Sequence, residues 1–349
     1  MKHIHGGNIY AKAYELDFSA NINPLGIPPK VVEAACEGVR RSTAYPDPDQ
    51  TALRRAVAKR HQVLPEQVIC GNGAAELIFM LCDAIRPQKA LLVAPGFAEY
   101  EAALEKTGCR IAYYPCAEET GFSLGEDYLA FLTEETDIAF LCSPNNPTGV
   151  MVPLDLLIRI VRRCREEGIV LVMDECFVPL TDAGEANSLI PVIGDNPGLF
   201  ILRAFTKLYG IAGLRLGYGI CSDQRLLEQM KETVQPWNVS LPAQMAGVAA
   251  LEESDFEVRS REYVSVQRTR LLEGLKRLGL VCFEPGANFV FLKGPEDLGE
   301  ACAARGILIR DCSNYKGLKK GYWRIAVRTR EENDKLLDCL EEILWQDRS

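Results

Sequence analysis

The stretch IVLVMDECF, residues 169–177, decides the fold class of this chain. It opens with an unbroken apolar run, and a strand can be apolar on both sides only in a sheet covered on both faces. Asp174 ends the run, where a carboxylate is costly to bury unless a cation or a hydrogen bond compensates it. The stretch therefore indicates a buried strand with a candidate functional residue at its carboxyl end.

Further strand candidates lie on both sides of this stretch, and amphipathic segments with helical periodicity separate them. The predicted strands are Gln67–Cys70, Lys89–Ala94, Arg110–Pro115, Ile138–Cys142, Ile169–Asp174, Leu199–Arg203 and Arg215–Cys221. The predicted helices are Ala74–Ile85, Tyr100–Thr107, Leu154–Glu167 and Asp223–Thr233. Such alternation predicts an α/β fold with a mostly parallel seven-stranded sheet and helices on both sides.

The pattern changes after Pro236, where we predict a smaller α+β domain. Its predicted elements are a long helical region Pro242–Leu278, short strands near Val281–Phe283, Asn288–Leu292, Ile307–Arg310 and Tyr322–Val327, and a closing helix Glu331–Leu344. The first 40 residues are punctuated by glycine and proline and have little core of their own. We predict an arm over 1–40 that packs with the small domain, a large domain over 41–238 and a small domain over 239–349.

Composition excludes several classes of function. The net charge of −9, with both signs interspersed, argues against a nucleic-acid partner. A signal peptide and a membrane span are not indicated, so we expect a cytoplasmic protein without a membrane partner. The 13 cysteines contain no Cys-x-x-Cys pair and the chain has three histidines, which predicts reduced thiols and no metal site.

Candidate site residues follow the predicted strands, because ligands of parallel α/β sheets bind at the carboxyl ends of the strands. GNGAAE, residues 71–76, places small residues at a helix N-terminus, which suits a phosphate group; a plain turn is the alternative. SPNNPTG, residues 143–149, places two amides between prolines. Lys207 stands among apolar and glycine residues, and the alternative for it alone is a surface lysine at a loop edge.

Taken together, these groups fit a pyridine ring that carries a phosphate. Lys207 can form a Schiff base with an aldehyde, and partial burial lowers the pKa of such lysines. Asp174 can hold a pyridine nitrogen protonated, which makes the ring an electron sink. The helix N-terminus and Arg215 would face the phosphate.

Several motifs of the chain resemble those of a known family. SPNNPTG, the DE pair at 174–175, TKLYGIAGLRLGY at 206–218 and RIAVRTREEN at 324–333 look like fold type I pyridoxal-phosphate enzymes, in the branch of the histidinol-phosphate aminotransferases. HGGNIYAKA, DFSANINPLG, APGFAEY and ILIRDCSNYKGL are most similar to the threonine-phosphate decarboxylases of cobalamin biosynthesis. The resemblance covers nearly the whole chain. It implies pyridoxal 5′-phosphate as cofactor, a homodimer and a small phosphorylated amino-acid substrate.

The resemblance also implies roles for residues that contact the cofactor. Lys207 would be the Schiff-base lysine, and Asp174 would pair with the pyridinium. Asn146 would bond the ring hydroxyl, and Phe97 would stack on the ring, with ordinary core packing as its alternative. The residues that would hold the cofactor phosphate are Gly73, Ala74, Ala75, Thr206 and Arg215.

For the substrate, the resemblance implies that Arg324 grips the carboxylate in a bidentate fork, with Asn21 beside it. Arg310 and His5 would bind the substrate phosphate, with a solvated arm residue as the alternative for His5. Tyr45 would reach in from the neighbouring subunit. Arg328 is either a further phosphate contact or a surface charge.

Two residues depart from the family pattern. Many relatives have serine or threonine where Ala204 stands, so phosphate binding would depend more on Thr206 and Arg215. Histidinol-phosphate aminotransferases usually have a tyrosine where Phe177 stands, which leaves Asn146 alone at the ring hydroxyl. The second departure fits the decarboxylases better.

The leading hypothesis is decarboxylation of L-threonine O-3-phosphate to (R)-1-aminopropan-2-yl phosphate. Decarboxylation of O-phospho-serine and transamination of histidinol phosphate are the alternatives. A non-enzymatic binding protein on the same fold would lack the lysine or the aspartate, and both Lys207 and Asp174 are present.

Overall fold

The computed structural model describes residues 6–10 and 13–346. Strands over these residues are β1 Leu16–Asp17, β2 Val68–Gly71, β3 Lys89–Ala94, β4 Arg110–Pro115, β5 Ile138–Cys142, β6 Val170–Asp174, β7 Leu199–Ala204, β8 Gly217–Cys221, β9 Val281–Cys282, β10 Phe289–Lys293, β11 Ile307–Leu308, β12 Arg310–Asp311 and β13 Tyr322–Ala326. The α-helices are α1 Pro29–Arg40, α2 Thr51–His61, α3 Ala74–Ile85, α4 Ala98–Lys106, α5 Leu154–Glu167, α6 Phe205–Leu208, α7 Gln224–Glu232, α8 Leu241–Leu251, α9 Ser254–Arg277, α10 Leu298–Ala304 and α11 Arg330–Gln346.

The larger lobe is built on a seven-stranded sheet in the order β2-β8-β7-β6-β5-β3-β4. All neighbouring strands are parallel except β8, which is antiparallel to both β2 and β7. Consecutive residues of one strand belong to opposite cores: Leu171 packs in one apolar cluster and Val172 in another, on the other face. This two-sided burial is why the strands are apolar without alternation, and the predicted α/β fold with a mostly parallel sheet is confirmed.

Most predicted elements of this lobe match the structure to within a few residues. Strands β3, β4 and β5 and helices α3 and α5 have the predicted bounds. The last predicted strand starts two residues late, at Gly217, because Arg215 has a φ of 58° and a strand needs an extended backbone. Arg215 therefore lies in the turn before β8 and not in the strand.

The smaller sheet has four strands in the order β12-β13-β10-β9, all antiparallel. Two predictions for this region were wrong. The predicted helix Pro242–Leu278 is interrupted at residues 252–253, between α8 and α9, and the predicted strand Ile307–Arg310 consists of two short strands. The first of these, β11, pairs with β1, whereas β12 pairs with β13. The extended segment 307–311 thus contributes one short strand to each of two sheets.

The N-terminal segment packs against the later part of the chain. Strand β1 runs parallel to β11, and Phe18 is fully buried in the apolar cluster of the smaller sheet with residues such as Leu271 and Val290. Helix α1 packs along α8. The domain boundaries at residues 40 and 238 stay a prediction. None of the helices within the described part of the chain is long and apolar enough to cross a membrane.

Candidate active site

A cavity of about 240 Å³ opens at the carboxyl ends of β5, β6 and β7. Most residues of the predicted site line it: Asn21, Ala74, Ala75, Phe97, Asn146, Asp174, Thr206, Lys207, Arg215, Arg310 and Arg324. The sequence reasoning did not select the other lining residues Gly6, Ser19, Ala20, Ile78, Cys176 and Tyr315. Residues from both sheets and from the N-terminal segment thus meet in one place.

Lys207 lies on the short helix α6, directly after β7, and its side chain is partly buried in the cavity. Burial and the nearby Arg324 guanidinium lower the pKa of Lys207 to about 8. Nζ lies 5.6 Å from the centroid of the Phe177 ring. The amine therefore has a much larger neutral, nucleophilic fraction near neutral pH than an exposed lysine.

Asp174 ends β6 and is buried with two hydrogen-bond donors on its carboxylate. The hydroxyl of Tyr100 donates to Oδ2 at 2.5 Å, and the backbone N–H of Cys176 donates to Oδ1 at 2.9 Å. Burial and the charge of Asp174 raise the pKa of Tyr100 well above its usual value, so the phenol stays a donor. Tyr100 was missed by the sequence reasoning; its place one turn after Phe97 on α4 was the available signal.

The N-terminus of α3 forms a cradle with Arg215. Gly73 has a φ of 87°, and a Cβ at this position would lie 2.7 Å from Nη2 of Arg215. Glycine is therefore required for the guanidinium to lie over the first turn of the helix. Free N–H groups at a helix N-terminus beside an arginine favour a bound anion such as a phosphate. Gly73 shapes this cradle without lining the cavity itself.

Asn146 and Arg324 meet on the other side of the cavity. Nη1 of Arg324 donates to Oδ1 of Asn146, Nη2 donates to the carbonyl of Ser19 at 2.8 Å, and the Tyr315 hydroxyl donates to the same Oδ1 at 3.3 Å. Nε of Arg324 and Oδ1 of Asn21 are buried without a hydrogen-bond partner among the described residues. Buried polar atoms of this kind are expected to pair with a bound group.

Arg310 enters the cavity from β12. Its Nη2 donates to Oδ1 of Asn314 at 2.9 Å, and its guanidinium lies 5.2 Å from the centroid of the Tyr315 ring. The sequence reasoning missed Tyr315, although it stands in the quoted motif RDCSNY, five residues after Arg310.

The remaining residues named from the sequence are not all in the cavity. Tyr45 is outside the cavity with 79% of its surface exposed, and it stacks on Trp237 at 4.6 Å. Arg328 does not line the cavity, and its Nη2 pairs with Glu332 at 2.9 Å. His5 lies outside the described residues. Ala204 and Phe177 both line the cavity without a hydroxyl group. The functional roles of all these side chains stay predictions.

These residues fit a pyridoxal phosphate group. The partly buried amine of Lys207 suits its aldehyde, the carboxylate of Asp174 suits its ring nitrogen, and the cradle around Gly73 suits its phosphate. Nε of Arg324 and Oδ1 of Asn21, which have no partner within the described part of the chain, leave hydrogen-bonding capacity for a further polar ligand beside the cofactor.

Comparisons with known proteins agree with this fit. The family "Aminotransferase class I and II" matches residues 14–340. Threonine-phosphate decarboxylase of Salmonella typhimurium is 38% identical, covering 97% of this chain and 96% of that protein. Histidinol-phosphate aminotransferase of Halalkalibacterium halodurans is 32% identical, covering 94% of this chain and 89% of that protein.

Among solved structures, the histidinol-phosphate aminotransferase from Clostridium acetobutylicum superposes with a TM-score of 0.89 at 28% identity, covering 95% of this chain and 99% of that one. The resemblance seen in the sequence motifs is thus confirmed. The chain belongs to the aminotransferase class I and II family, whose members depend on pyridoxal phosphate and have the type I fold of such enzymes.

Proposed function

We propose that the protein decarboxylates L-threonine O-3-phosphate to (R)-1-aminopropan-2-yl phosphate and carbon dioxide, for the linker of the cobalamin nucleotide loop. One observation carries the proposal: two buried arginines, Arg310 and Arg324, line the same cavity as Lys207. A substrate with a carboxylate and a phosphate can pair with both guanidinium groups. The decarboxylase of Salmonella typhimurium, at 38% identity, supports this choice.

The cofactor would be held by residues already described. Lys207 would bind its aldehyde, Asp174 its ring nitrogen and Asn146 its ring oxygen. Its phosphate would lie at the N-terminus of α3 with Arg215 and Thr206. Bound pyridoxal phosphate supplies a sink for the electron pair that remains on Cα when a bond there breaks.

The arginines determine which bond to Cα breaks. The bond perpendicular to the cofactor ring is the one weakened, so the rotation of the substrate about its Cα–N bond selects the reaction. Arg324 would hold the carboxylate and Arg310 the phosphate, and two fixed ends leave little rotational freedom. The two arginines would thereby fix the rotation of the substrate about Cα, and we assign the bond that breaks to the carboxylate.

Lys207 would supply the proton that replaces the carboxylate. The carboxylate leaves as carbon dioxide, its bonding electron pair stays with the substrate, and Cα then takes one proton. The amine of Lys207 would be free for this once the substrate amine has taken its place on the cofactor, and its lowered pKa would let it release a proton more readily than an ordinary lysine. We therefore assign proton donation at Cα to Nζ of Lys207.

Two alternative reactions, transamination of histidinol phosphate and decarboxylation of O-phospho-serine, differ from the proposed one in their substrates. Histidinol-phosphate aminotransferases are similar in sequence and fold, but histidinol phosphate has no carboxylate to pair with Arg324. O-phospho-serine differs from the proposed substrate by one methyl group, which is worth about 1 to 3 kcal/mol in a pocket.

Four incubations of the purified, cofactor-loaded protein test the proposal. O-phospho-L-threonine, O-phospho-L-serine, L-threonine, and histidinol phosphate with 2-oxoglutarate are compared by release of carbon dioxide and formation of glutamate. We expect carbon dioxide from phospho-threonine at the highest kcat/KM. Efficient glutamate formation from histidinol phosphate, or equal turnover of unphosphorylated threonine, would contradict the proposal.

Two lysine variants complete this experiment. Lys207→Ala is expected to lower kcat by at least about 10³-fold, because it removes both the covalent attachment point and the proton donor. It should also lose the visible absorption band and the cofactor-sized mass that borohydride fixes to the wild-type chain. Lys231→Ala, which removes a surface lysine paired with Glu228, is the matched control. It should leave kcat, the absorption band and the mass added by borohydride reduction unchanged.

A further inference from the structure

Tyr315 contacts two parts of the cavity that the proposed function uses for different purposes. Its side chain is buried, with 8% of its surface exposed. Its hydroxyl donates to Oδ1 of Asn146 at 3.3 Å, and its ring lies 5.2 Å from the guanidinium of Arg310. One side chain therefore contacts both the cofactor side and the substrate side of the cavity.

The hydroxyl group acts on the orientation of the Asn146 amide. Oδ1 of Asn146 accepts from both Nη1 of Arg324 and the hydroxyl of Tyr315. A guanidinium has no acceptor, so the amide cannot turn its NH₂ group towards Arg324 without losing that bond. The two donors thus leave Nδ2 as the group that is available to the cofactor.

This orientation matters more here because of Phe177. Its ring lines the cavity but has no hydroxyl to donate to a cofactor. The amide of Asn146 must then make the contact with the ring oxygen without help from position 177. Burial raises the pKa of Tyr315, so its hydroxyl keeps the proton that Asn146 accepts.

The ring of Tyr315 acts on Arg310. The guanidinium lies over the ring of Tyr315, Nη2 donates to Oδ1 of Asn314, the residue before Tyr315, and Nη1 donates to the carbonyl of Asp311. The loop that carries both residues is closed by the bond from the Tyr315 N–H to the Cys312 carbonyl at 3.1 Å. A cation over an aromatic face is attracted to it and restricted in its motion, so this ring limits where the guanidinium can point.

We propose that Tyr315 is a positioning residue with two separable functions. Its hydroxyl orients Asn146 towards the cofactor, and its ring orients Arg310 towards the substrate phosphate. The ring function rests on the proposed decarboxylase activity, whereas the hydroxyl function requires only the cofactor.

Two substitutions separate these functions. Tyr315→Phe removes the hydroxyl and keeps the ring, and Tyr315→Leu removes both. The control is Tyr114→Phe, because Tyr114 is equally buried and donates a hydrogen bond to Asp127 at 2.6 Å without lining the cavity. For each protein the dissociation constant of pyridoxal phosphate, the KM and kcat for phospho-threonine, and the melting temperature are measured.

The expected results differ between the variants. Tyr315→Phe should raise the dissociation constant of pyridoxal phosphate about five-fold, as for one lost hydrogen bond. It should raise KM no more than about three-fold, because the hydroxyl also interacts with Arg310 but the ring beside the guanidinium is kept. Tyr315→Leu should show the same loss of cofactor affinity and also raise KM about ten-fold, with a smaller change in kcat. Tyr114→Phe should resemble the wild type in cofactor affinity and KM.

Each contrary outcome has a defined meaning. A wild-type cofactor affinity for Tyr315→Phe would overturn the hydroxyl function, and equal KM values for the two Tyr315 variants would overturn the ring function. Equal losses in Tyr114→Phe would show a structural effect and overturn both. If the wild-type protein binds pyridoxal phosphate but does not turn over phospho-threonine, the proposed activity and the ring function are wrong, and the cofactor affinities still decide the hydroxyl function.

Discussion

At the scale of single residues, Lys207 shows how its surroundings change an ordinary side chain. Its amine is taken out of water and lies near Arg324, and both effects disfavour the charged form. An unpaired ammonium inside a protein lowers stability, so the charged form of Lys207 should lower the free energy of unfolding. The same environment makes the amine a usable nucleophile and proton donor.

Because the charged form of Lys207 is destabilising, the stability of the wild-type protein relative to Lys207→Met should depend on pH. The pKa of Lys207 is lowered from 10.5 to about 8, so between these pH values the unfolded chain binds more protons than the folded chain. Stability due to this group therefore rises with pH across that window. We expect cofactor-free Lys207→Met to be more stable than the cofactor-free wild type at pH 7, by on the order of 2 to 3 kcal/mol.

The measurement is urea denaturation of both cofactor-free proteins at several pH values from 7 to 10. The difference in the free energy of unfolding should narrow steadily above pH 8. Comparing two chains that differ at one position removes the contribution of the other titrating groups. A difference that stays constant over this range would contradict a lowered pKa.

The two cavity arginines give a second prediction at this scale. A charged hydrogen bond contributes about 1.5 to 3 kcal/mol, so Arg310→Ala should raise the KM for phospho-threonine by roughly 10- to 100-fold. Arg324→Ala should weaken binding and also let transamination compete with decarboxylation, because the carboxylate is no longer held. Kinetics with detection of both carbon dioxide and keto-acid products measure these effects.

Arg328→Gln serves as the control for the arginine series. Arg328 pairs with Glu332 and does not line the cavity, so its KM for phospho-threonine should stay close to the wild-type value. A large rise in KM for this variant would assign the substrate phosphate to Arg328. An unchanged KM for Arg310→Ala would remove Arg310 from the proposed site.

At the scale of structural elements, a buried ion network joins the ends of β6 and β7. Arg203 is 2% exposed, and its guanidinium donates to Glu175 at 2.7 Å and to Glu185 at 2.9 Å. Glu175 directly follows Asp174, and Arg203 comes four residues before Lys207. The network thus holds together the two chain segments that carry the proposed catalytic groups.

Breaking this network is expected to destabilise the protein strongly. Arg203→Leu leaves the carboxylate of Glu175 buried without its cation, a change that typically costs about 3 to 5 kcal/mol. Urea denaturation of the loaded enzyme measures the loss. Arg159→Leu is the control, because it removes an exposed ion pair with Glu126 and should have little effect. Equal losses in the two variants would argue against a special contribution from Arg203.

At the scale of the whole molecule, the cavity lies between the two lobes. Lys207 and Asn146 lie just after strands β7 and β5 of the large sheet, and Arg310 and Arg324 lie on strands β12 and β13 of the small one. The lobes also touch away from the cavity, where Lys293 pairs with Glu118 at 2.8 Å and Phe122 packs against other aromatic rings. A change in the position of one lobe would therefore move the substrate arginines relative to the cofactor groups.

The exposed Tyr45 gives a prediction about assembly. We propose that two copies of the chain form a homodimer in which Tyr45 completes the site of the partner subunit. Lys207→Ala and Tyr45→Ala should then each be weakly active. Co-expression of the two variants should restore about a quarter of wild-type activity, because half of randomly mixed dimers contain one intact site.

Sedimentation of the wild-type protein is the companion measurement. A fully active monomer would contradict the proposed assembly. A failure of the mixed variants to regain activity would place Tyr45 in the site of its own subunit. Wild-type activity of Tyr45→Ala by itself would place Tyr45 outside any site. Co-expression of Lys207→Ala with Lys231→Ala shows the activity expected when the second subunit is unimpaired.

The sequence by itself determined the sheet and the position of the site. Continuous apolar runs such as residues 169–173 predict strands buried on both faces, because the pattern reflects the surroundings of each residue directly. Polar residues directly after such runs, including Asp174 and Lys207, predict the cavity, because parallel strands end at one edge of a sheet. These inferences require only local pattern and one topological rule.

Only the tertiary structure decided the contacts between distant segments. The hydroxyl of Tyr100 reaches Asp174, and Tyr315 reaches Asn146, across 74 and 169 residues of chain. Their places near Phe97 and in the motif RDCSNY are local signals, but neither signal shows which distant residue each hydroxyl contacts. The split of residues 307–310 between two sheets likewise follows from the partner strands and not from propensity. The positioning of the candidate site is therefore a property of packing, which brings together groups that the sequence keeps apart.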